Sequence, residues 1–189
     1  MSGPDRLTTV NAPAFSLRRT SGSDWREIRE LRLEMIRDTP TAYNETLDDA
    51  LGHDEGEWRM RGERGTADHG IAVAALDGSG RWVGTMAGFV SEEAGGPLLV
   101  GVYVGPGHRG RDAGVTDALL QAVETWARGE GDRLFLHVHE DNARARTAYE
   151  RRGFAVTSRS LPYNLDPSRR ELEMVKELHA DEPSAAEPR

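Results

Sequence analysis

The chain has 189 residues, 37% of them hydrophobic and 30% charged, and its 24 Lys and Arg against 32 Asp and Glu give a formal net charge of −8. That size and balance fit one globular domain and exclude a disordered or fibrous chain, and the acidity speaks against general nucleic-acid binding, which asks for a basic docking face. The absence of Cys excludes a disulfide scaffold, a thiolate metal site and a Cys nucleophile, and no apolar run approaches the roughly 20 residues that cross a bilayer, so the expectation is a cytoplasmic protein without membrane contact.

Residues 1–13 and 181–189 are polar or rich in Pro, Ala and Glu and read as flexible tails around a single domain at 14–180. Phe15–Arg18 reads as a short strand. A helix follows from Trp25 to Arg37, with Ser23 or Asp24 as N-cap, Glu27 placed for a capping box on Asp24, and an apolar stripe of Trp25, Ile28, Met35 and Ile36. The acidic stretch from Thr41 to Arg61 has broken periodicity and reads as one helix or two short ones. Ile71–Leu76 and Trp82–Val90 flank the turn Asp77–Gly80 and form a hairpin. Leu98–Val104 is a third strand in which Leu98, Val100, Val102 and Val104 share a face, and Gly101 marks a bulge or a close approach to the backbone. Val115, Ala118, Leu119, Ala122, Val123 and Trp126 carry helical spacing. Leu134–Val138 is a strand and Asn142–Arg152 a helix, stopped by Gly153 and Phe154 in a left-handed cap. Strands near Phe154–Arg159 and Glu171–Leu178 complete an α/β order that implies a mixed sheet with helices on both faces.

The informative junction is Val102–Leu120, a strand, a turn rich in Gly and Arg, and a helix start. Unpaired N–H groups and the positive end of the helix dipole make such a junction an anion site, and His108, Arg109 and Arg111 add charge. A nucleoside-triphosphate loop needs a lysine that this region lacks. Gly105, Gly107 and Gly110 spell the dinucleotide pattern, a weak match because three or more strands precede it and Pro106 fills a variable slot; coenzyme A is the third option.

With Val104 and Pro106 before it, the run Arg109–Thr116 resembles the R-x-x-G-x-G/A turn of the GNAT acyltransferase superfamily. Two registers fit. Either Arg109 leads, with Asp112 at the Gly position and Gly114 last, or Arg111 leads, with Gly114 at the Gly position and Thr116 last. A second stretch carries the same resemblance through Leu136, Val138, Asn142, Ala145, Tyr149, Gly153 and Phe154.

The resemblance implies the GNAT fold, a mixed and mostly antiparallel central sheet with splayed strands, and an acetyl-CoA-dependent N-acetyltransferase. Acetyl-CoA would be the co-substrate, a primary amine of a small molecule or peptide the acceptor, and a homodimer a common state. It implies pantetheine contacts along the backbone of Val102, Tyr103 and Val104. Pyrophosphate contacts would come from Arg109, Gly110, Arg111, Asp112, Ala113, Gly114, Val115 and Thr116. Asn142 would be a helix cap and coenzyme contact, and Tyr149 the acid that protonates the leaving sulfur. Candidates for the general base are Glu92, Glu93, His137, His139 and Glu140. No metal site is expected, because His137 and His139 have no evident third ligand. The acidic residues Glu45, Asp48, Asp49, Asp54, Glu55 and Glu57 would favour a cationic acceptor if they line its site. The alternatives are a GNAT-like module that binds acyl-CoA without turnover and, more distantly, a nicotinamide dehydrogenase.

Overall fold

A computed structural model describes residues 15–110 and 112–178. The expected tails and Arg111 lie outside the described residues. Seven strands, β1 (Phe15–Arg19), β2 (Gly70–Asp77), β3 (Trp82–Ser91), β4 (Gly96–Val104), β5 (Arg133–His139), β6 (Ala155–Tyr163) and β7 (Asp166–Glu177), form one sheet in the order β1-β2-β3-β4-β5-β7-β6. Every pairing is antiparallel except that of β4 with β5, which is parallel and consists of Leu98 with Phe135 and Leu99 with Leu136. Beyond Leu99 and Leu136 the two strands have no further paired residues.

Helices α1 (Trp25–Asp38), α2 (Leu47–Gly52) and α3 (Glu55–Glu63) cover one face, where Leu31, Met35, Ile36 and Trp58 pack on Ala74, Trp82 and Tyr103. Helices α4 (Val115–Ala127) and α5 (Ala143–Glu150) cover the other. There Val115, Leu119 and Val123 meet Ile71, Val73, Val83, Leu99 and Leu136, with Ala145 and Tyr149 at the margin. Each face buries a separate apolar cluster, so the sheet is the shared wall of two cores.

The expected β2–β3 hairpin, α4 and β5 form within a residue or two of their predicted ends. The acidic stretch resolves into α2 and α3, each capped by its own side chain, Thr46 accepting from the Asp49 N–H and Asp54 from the Glu57 N–H. Helix α1 starts at Trp25 with Asp24 as its N-cap, as expected, but the expected capping box with Glu27 is not the one formed. The capping box joins Ser21 to Asp24 one turn earlier, because Asp24 also receives both guanidinium nitrogens of Arg18 from β1, at 2.7 and 3.0 Å. The terminal hairpin is longer than predicted and carries Pro162 near its far end. A proline is tolerated there because β6 is an edge strand.

The single-face reading of β4 fails at Gly101. Thr85 pairs with Tyr103 and Ala87 with Val100, so Gly101 and Val102 together oppose Met86 alone. This is a bulge, and Gly101 takes φ +60° to make it. The extra residue switches the alternation. Leu98 and Val100 join Phe135 in a small cluster of their own, whereas Val102 and Val104 pack in the α4 core.

Candidate active site

Where β4 and β5 separate, a cleft of ≈ 970 Å³ opens, floored by Leu99–Val104 and Leu136–His139 and flanked by the starts of α4 and α5. The bulge places a second cavity, of ≈ 670 Å³, on the far face beneath α1 and α3. Val100 and Gly101 line both. A parted sheet with a chamber on each side of one bulge is the central feature of the site.

Of the residues expected at the coenzyme, Val102, Tyr103, Val104, Arg109, Gly110, Thr116, Asn142 and Tyr149 line the cleft. Asp112, Ala113, Gly114 and Val115 do not: the Val115 side chain is buried in the α4 core, and Gly114 is the residue before the helix. Gly114 has φ +69° and offers no side chain to cap α4, so the first-turn N–H groups are left for an external acceptor. No described non-glycine residue has positive φ, so Asp112 does not take the conformation that Gly114 does.

Arg109 turns inward. Its Nε donates to the Val104 carbonyl at 2.6 Å, its other end pairs with Asp38, and it lies over the Tyr103 ring. The Arg109 hydrogen bond holds the Asp38 carboxyl below the usual range. The Val102 carbonyl likewise accepts from the Tyr43 hydroxyl at 3.1 Å. Each carbonyl keeps a second lone pair for a ligand. The spacing of motif residues held no sign of these two tethers, since Asp38 and Tyr43 are remote in sequence. Arg144 and Arg151 of the α5 flank also line the cleft, and neither forms an ion pair among the described residues. Arg152 pairs with Asp117 at 2.7 Å and ties α5 to the start of α4. The cleft is therefore cationic in a protein of net negative charge.

Asn142 caps α5, its side-chain oxygen accepting from the Ala145 N–H at 3.1 Å. At the other end the Phe154 N–H reaches the Tyr149 carbonyl and the Gly153 N–H that of Glu150, with Gly153 at φ +89°. This is the predicted left-handed stop, and it sets Phe154 edge-on to the Tyr149 ring, with centroids 5.7 Å apart. The Tyr149 hydroxyl makes no hydrogen bond among the described residues. Burial pushes its pKa up to about 12, so it stays protonated and available as a donor.

Of the acidic run, only Glu45 and Asp49 line the far cavity, and Arg32, Arg61 and Arg64 line it with them. Glu45 is buried and accepts from Arg32 at 2.7 Å, from Arg61 at 2.8 and 3.1 Å, and contacts His53 Nε2 at 2.6 Å. Burial alone would raise its pKa, but the Arg61 and Arg32 hydrogen bonds override this and bring it down to about 2. The cavity is thus not the acidic site that the run suggested. Among the base candidates, His137 and His139 line the cleft, and Glu92, Glu93 and Glu140 do not. The described residues contain no group of three or more side chains that could hold a metal ion.

The site is thus a sheet parted between two parallel strands, with a helix start that no side chain caps beside the gap. The model of the acetyltransferase (GNAT) family matches residues 25–154, and the chain belongs to that family. By that membership it is an acetyltransferase. Among solved structures it is similar to a GNAT-family acetyltransferase from Streptococcus pneumoniae (17% identity, TM-score 0.71, 87% of this chain and 99% of that one). It also resembles a GCN5-related N-acetyltransferase from Kribbella flavida (21%, 0.67, 87% and 98%) and the putative acetyltransferase YncA from Salmonella typhimurium, solved with acetyl-CoA (17%, 0.67, 91% and 99%). A comparison with curated protein sequences gives no match.

Proposed function

We propose that the protein transfers the acetyl group of acetyl-CoA directly to a primary amine of a small molecule or peptide. The observation that carries this reading is the gap itself: one chamber on each face of the sheet, meeting at Val100 and Gly101. The thioester enters along β4 from the cationic cleft and the amine from the cavity beneath α1 and α3, so that the reacting atoms meet at the bulge. Pyrophosphate sits at the first turn of α4, at the Thr116 N–H, with Gly110 and Arg109 beside it. Gly114 as cap and Thr116 in the first turn favour the register led by Arg111.

Pantetheine runs along the main chain of Val102, Tyr103 and Val104, and a main-chain N–H of this segment stabilises the oxyanion. As the tetrahedral intermediate collapses, the sulfur takes its proton from Tyr149. Asn142 contacts the coenzyme while capping α5. No acyl-enzyme is needed, in keeping with a sequence that has no Cys.

Three arginines against two carboxylates in the far cavity support an acceptor that bears an oxyanion as well as its amine, rather than a polycation. No helix among the described residues is long and apolar enough to cross a membrane, and we place the enzyme in the cytoplasm. Thiol release from acetyl-CoA is to be measured with L-amino acids, phosphinothricin, spermidine, an aminoglycoside and short peptides. Turnover is expected on the anionic amines first. Tight CoA binding without turnover on any amine would overturn the reading in favour of a binding module.

A further inference from the structure

We infer that His137 Nδ1 is the base that takes the acceptor's proton, and that Glu173 positions it by holding the ring proton on Nε2. The inference rests on the transfer reaction proposed above and deepens it. An acceptor ammonium must lose a proton before its nitrogen can attack, so a group at the parting of β4 and β5 has to accept one.

Two titratable bases of β5 line the cleft, and their surroundings separate them. His139 is 6% exposed, its Nδ1 accepts the Asp141 N–H at 3.2 Å, and its ring packs edge-on against Tyr163 at 4.8 Å. Its neutral form therefore carries the ring proton on Nε2, and its one lone pair is already in use.

His137 is arranged the other way. It is the first β5 residue after the last β4–β5 pair, Leu99 with Leu136, and so stands where the gap begins. Its Nε2 is sealed from solvent and has no hydrogen-bond partner. Directly across the β5–β7 register, 3.9 Å away, lies Glu173 Oε2, which is also sealed and also without a hydrogen-bond partner. Glu173 is 5% exposed, and its other oxygen accepts from Thr157 at 2.9 Å. A buried donor and a buried acceptor left unpaired each cost about 1–3 kcal/mol, so two such atoms facing one another are complementary. A small ring movement closes the distance. With the proton on Nε2 directed at Glu173, the lone pair is on Nδ1, the nitrogen that is not sealed, in a side chain that lines the cleft.

The charged groups around the pair are consistent with this assignment. Arg159 of β6 lies 3.5 Å from Glu173 Oε2 and is shared with Glu93. His139 faces Glu171 two residues along, and Glu171 is held by Asn44 from the chain before α2. Tyr43 and Tyr149 close the cleft side. No other carboxylate is in register with His137, so Glu173 is the group that meets the imidazolium charge.

In the reaction the ammonium gives one proton to His137 Nδ1. The freed nitrogen lone pair bonds to the thioester carbon, and the C–S bond breaks as the intermediate collapses. The sulfur takes the Tyr149 proton, the amide nitrogen returns one to Tyr149 through water, and His137 releases its proton to solvent. Amine and thioester become amide and thiol, with one proton released.

The test has two arms on the full-length protein. Imidazole 15N NMR of the wild type, with His137 assigned by its loss in His137→Gln, should show a neutral ring protonated on Nε2, and Glu173→Gln should mix the two tautomers. A neutral ring protonated on Nδ1 overturns the inference whether or not any amine is acetylated. In the kinetic arm, the amine turned over fastest in the panel above is compared with hydroxylamine, whose nitrogen is already unprotonated at neutral pH. His137→Gln should lower kcat/KM on the amine about 100-fold and abolish the ascending limb of its pH profile, while hydroxylamine turnover changes less than about threefold. Glu173→Gln should lower the amine rate about tenfold with KM for acetyl-CoA unchanged. Equal losses on amine and hydroxylamine would reduce His137 to a packing residue. No turnover on any amine by the wild type would remove the proposed function instead, and the tautomer would still be read from the first arm.

Discussion

Replacing Glu45 by Gln probes the ionic floor of the far cavity. In the folded protein the carboxyl is held from 4.5 down to about 2, against its own burial, by the hydrogen bonds of Arg61 and Arg32. At 1.36 kcal/mol per pKa unit this corresponds to about 3 kcal/mol of stability. The group borders an open cavity, and screening reduces the figure to about 1–2 kcal/mol. Because the folded value lies below the unfolded one, the contribution is fully present above pH 4.5 and is lost as pH falls through about 2, with more than half gone at pH 3. Urea unfolding at pH 6.5 and at pH 3 should show the wild type losing about 1 kcal/mol more than Glu45→Gln between the two conditions. Other carboxylates held low, such as Asp24 and Asp38, titrate in both proteins and cancel in the difference. At pH 6.5 the variant should itself be less stable by about 2 kcal/mol, since Arg32 and Arg61 are left facing a neutral amide. An identical acid loss in both proteins would refute the assigned role of the two arginines.

Tyr149→Phe removes a hydroxyl that has no hydrogen bond among the described residues. Tm and acetyl-CoA affinity should therefore be unchanged while turnover falls about 100-fold, and equal turnover would take Tyr149 out of the mechanism. Gly62→Ala should cost about 3 kcal/mol by urea unfolding. A Cβ there would lie 2.2 Å from the Ser21 carbonyl oxygen, and backbone on both sides must move.

The reading of α4 rests on residues three and four apart, and that of the β2–β3 hairpin on two alternating runs about a four-residue turn. Such signals are short-range, and the elements they describe appear close to their predicted limits. The α5 stop was legible for the same reason: Gly153 and Phe154 are adjacent to the turn that they close. The faces of β4 were not legible, because the bulge at Gly101 is defined only by which β3 residues it opposes. A glycine in a strand signals that something irregular occurs and says nothing about which way the alternation resumes.

What the sequence determined by itself was the chain of local elements and the two motifs that mark a GNAT acetyltransferase, since both depend on spacings of a few residues. Tertiary structure decided the chemistry around them. Arg109 was legible as a cation but not as the partner of Asp38, and Glu45 as an acid but not as one enclosed by Arg32 and Arg61. His137 became distinguishable from His139 only when β7 brought Glu173 opposite it. In each case the deciding partner is remote along the chain, and only sheet register and helix packing place it within a few ångströms.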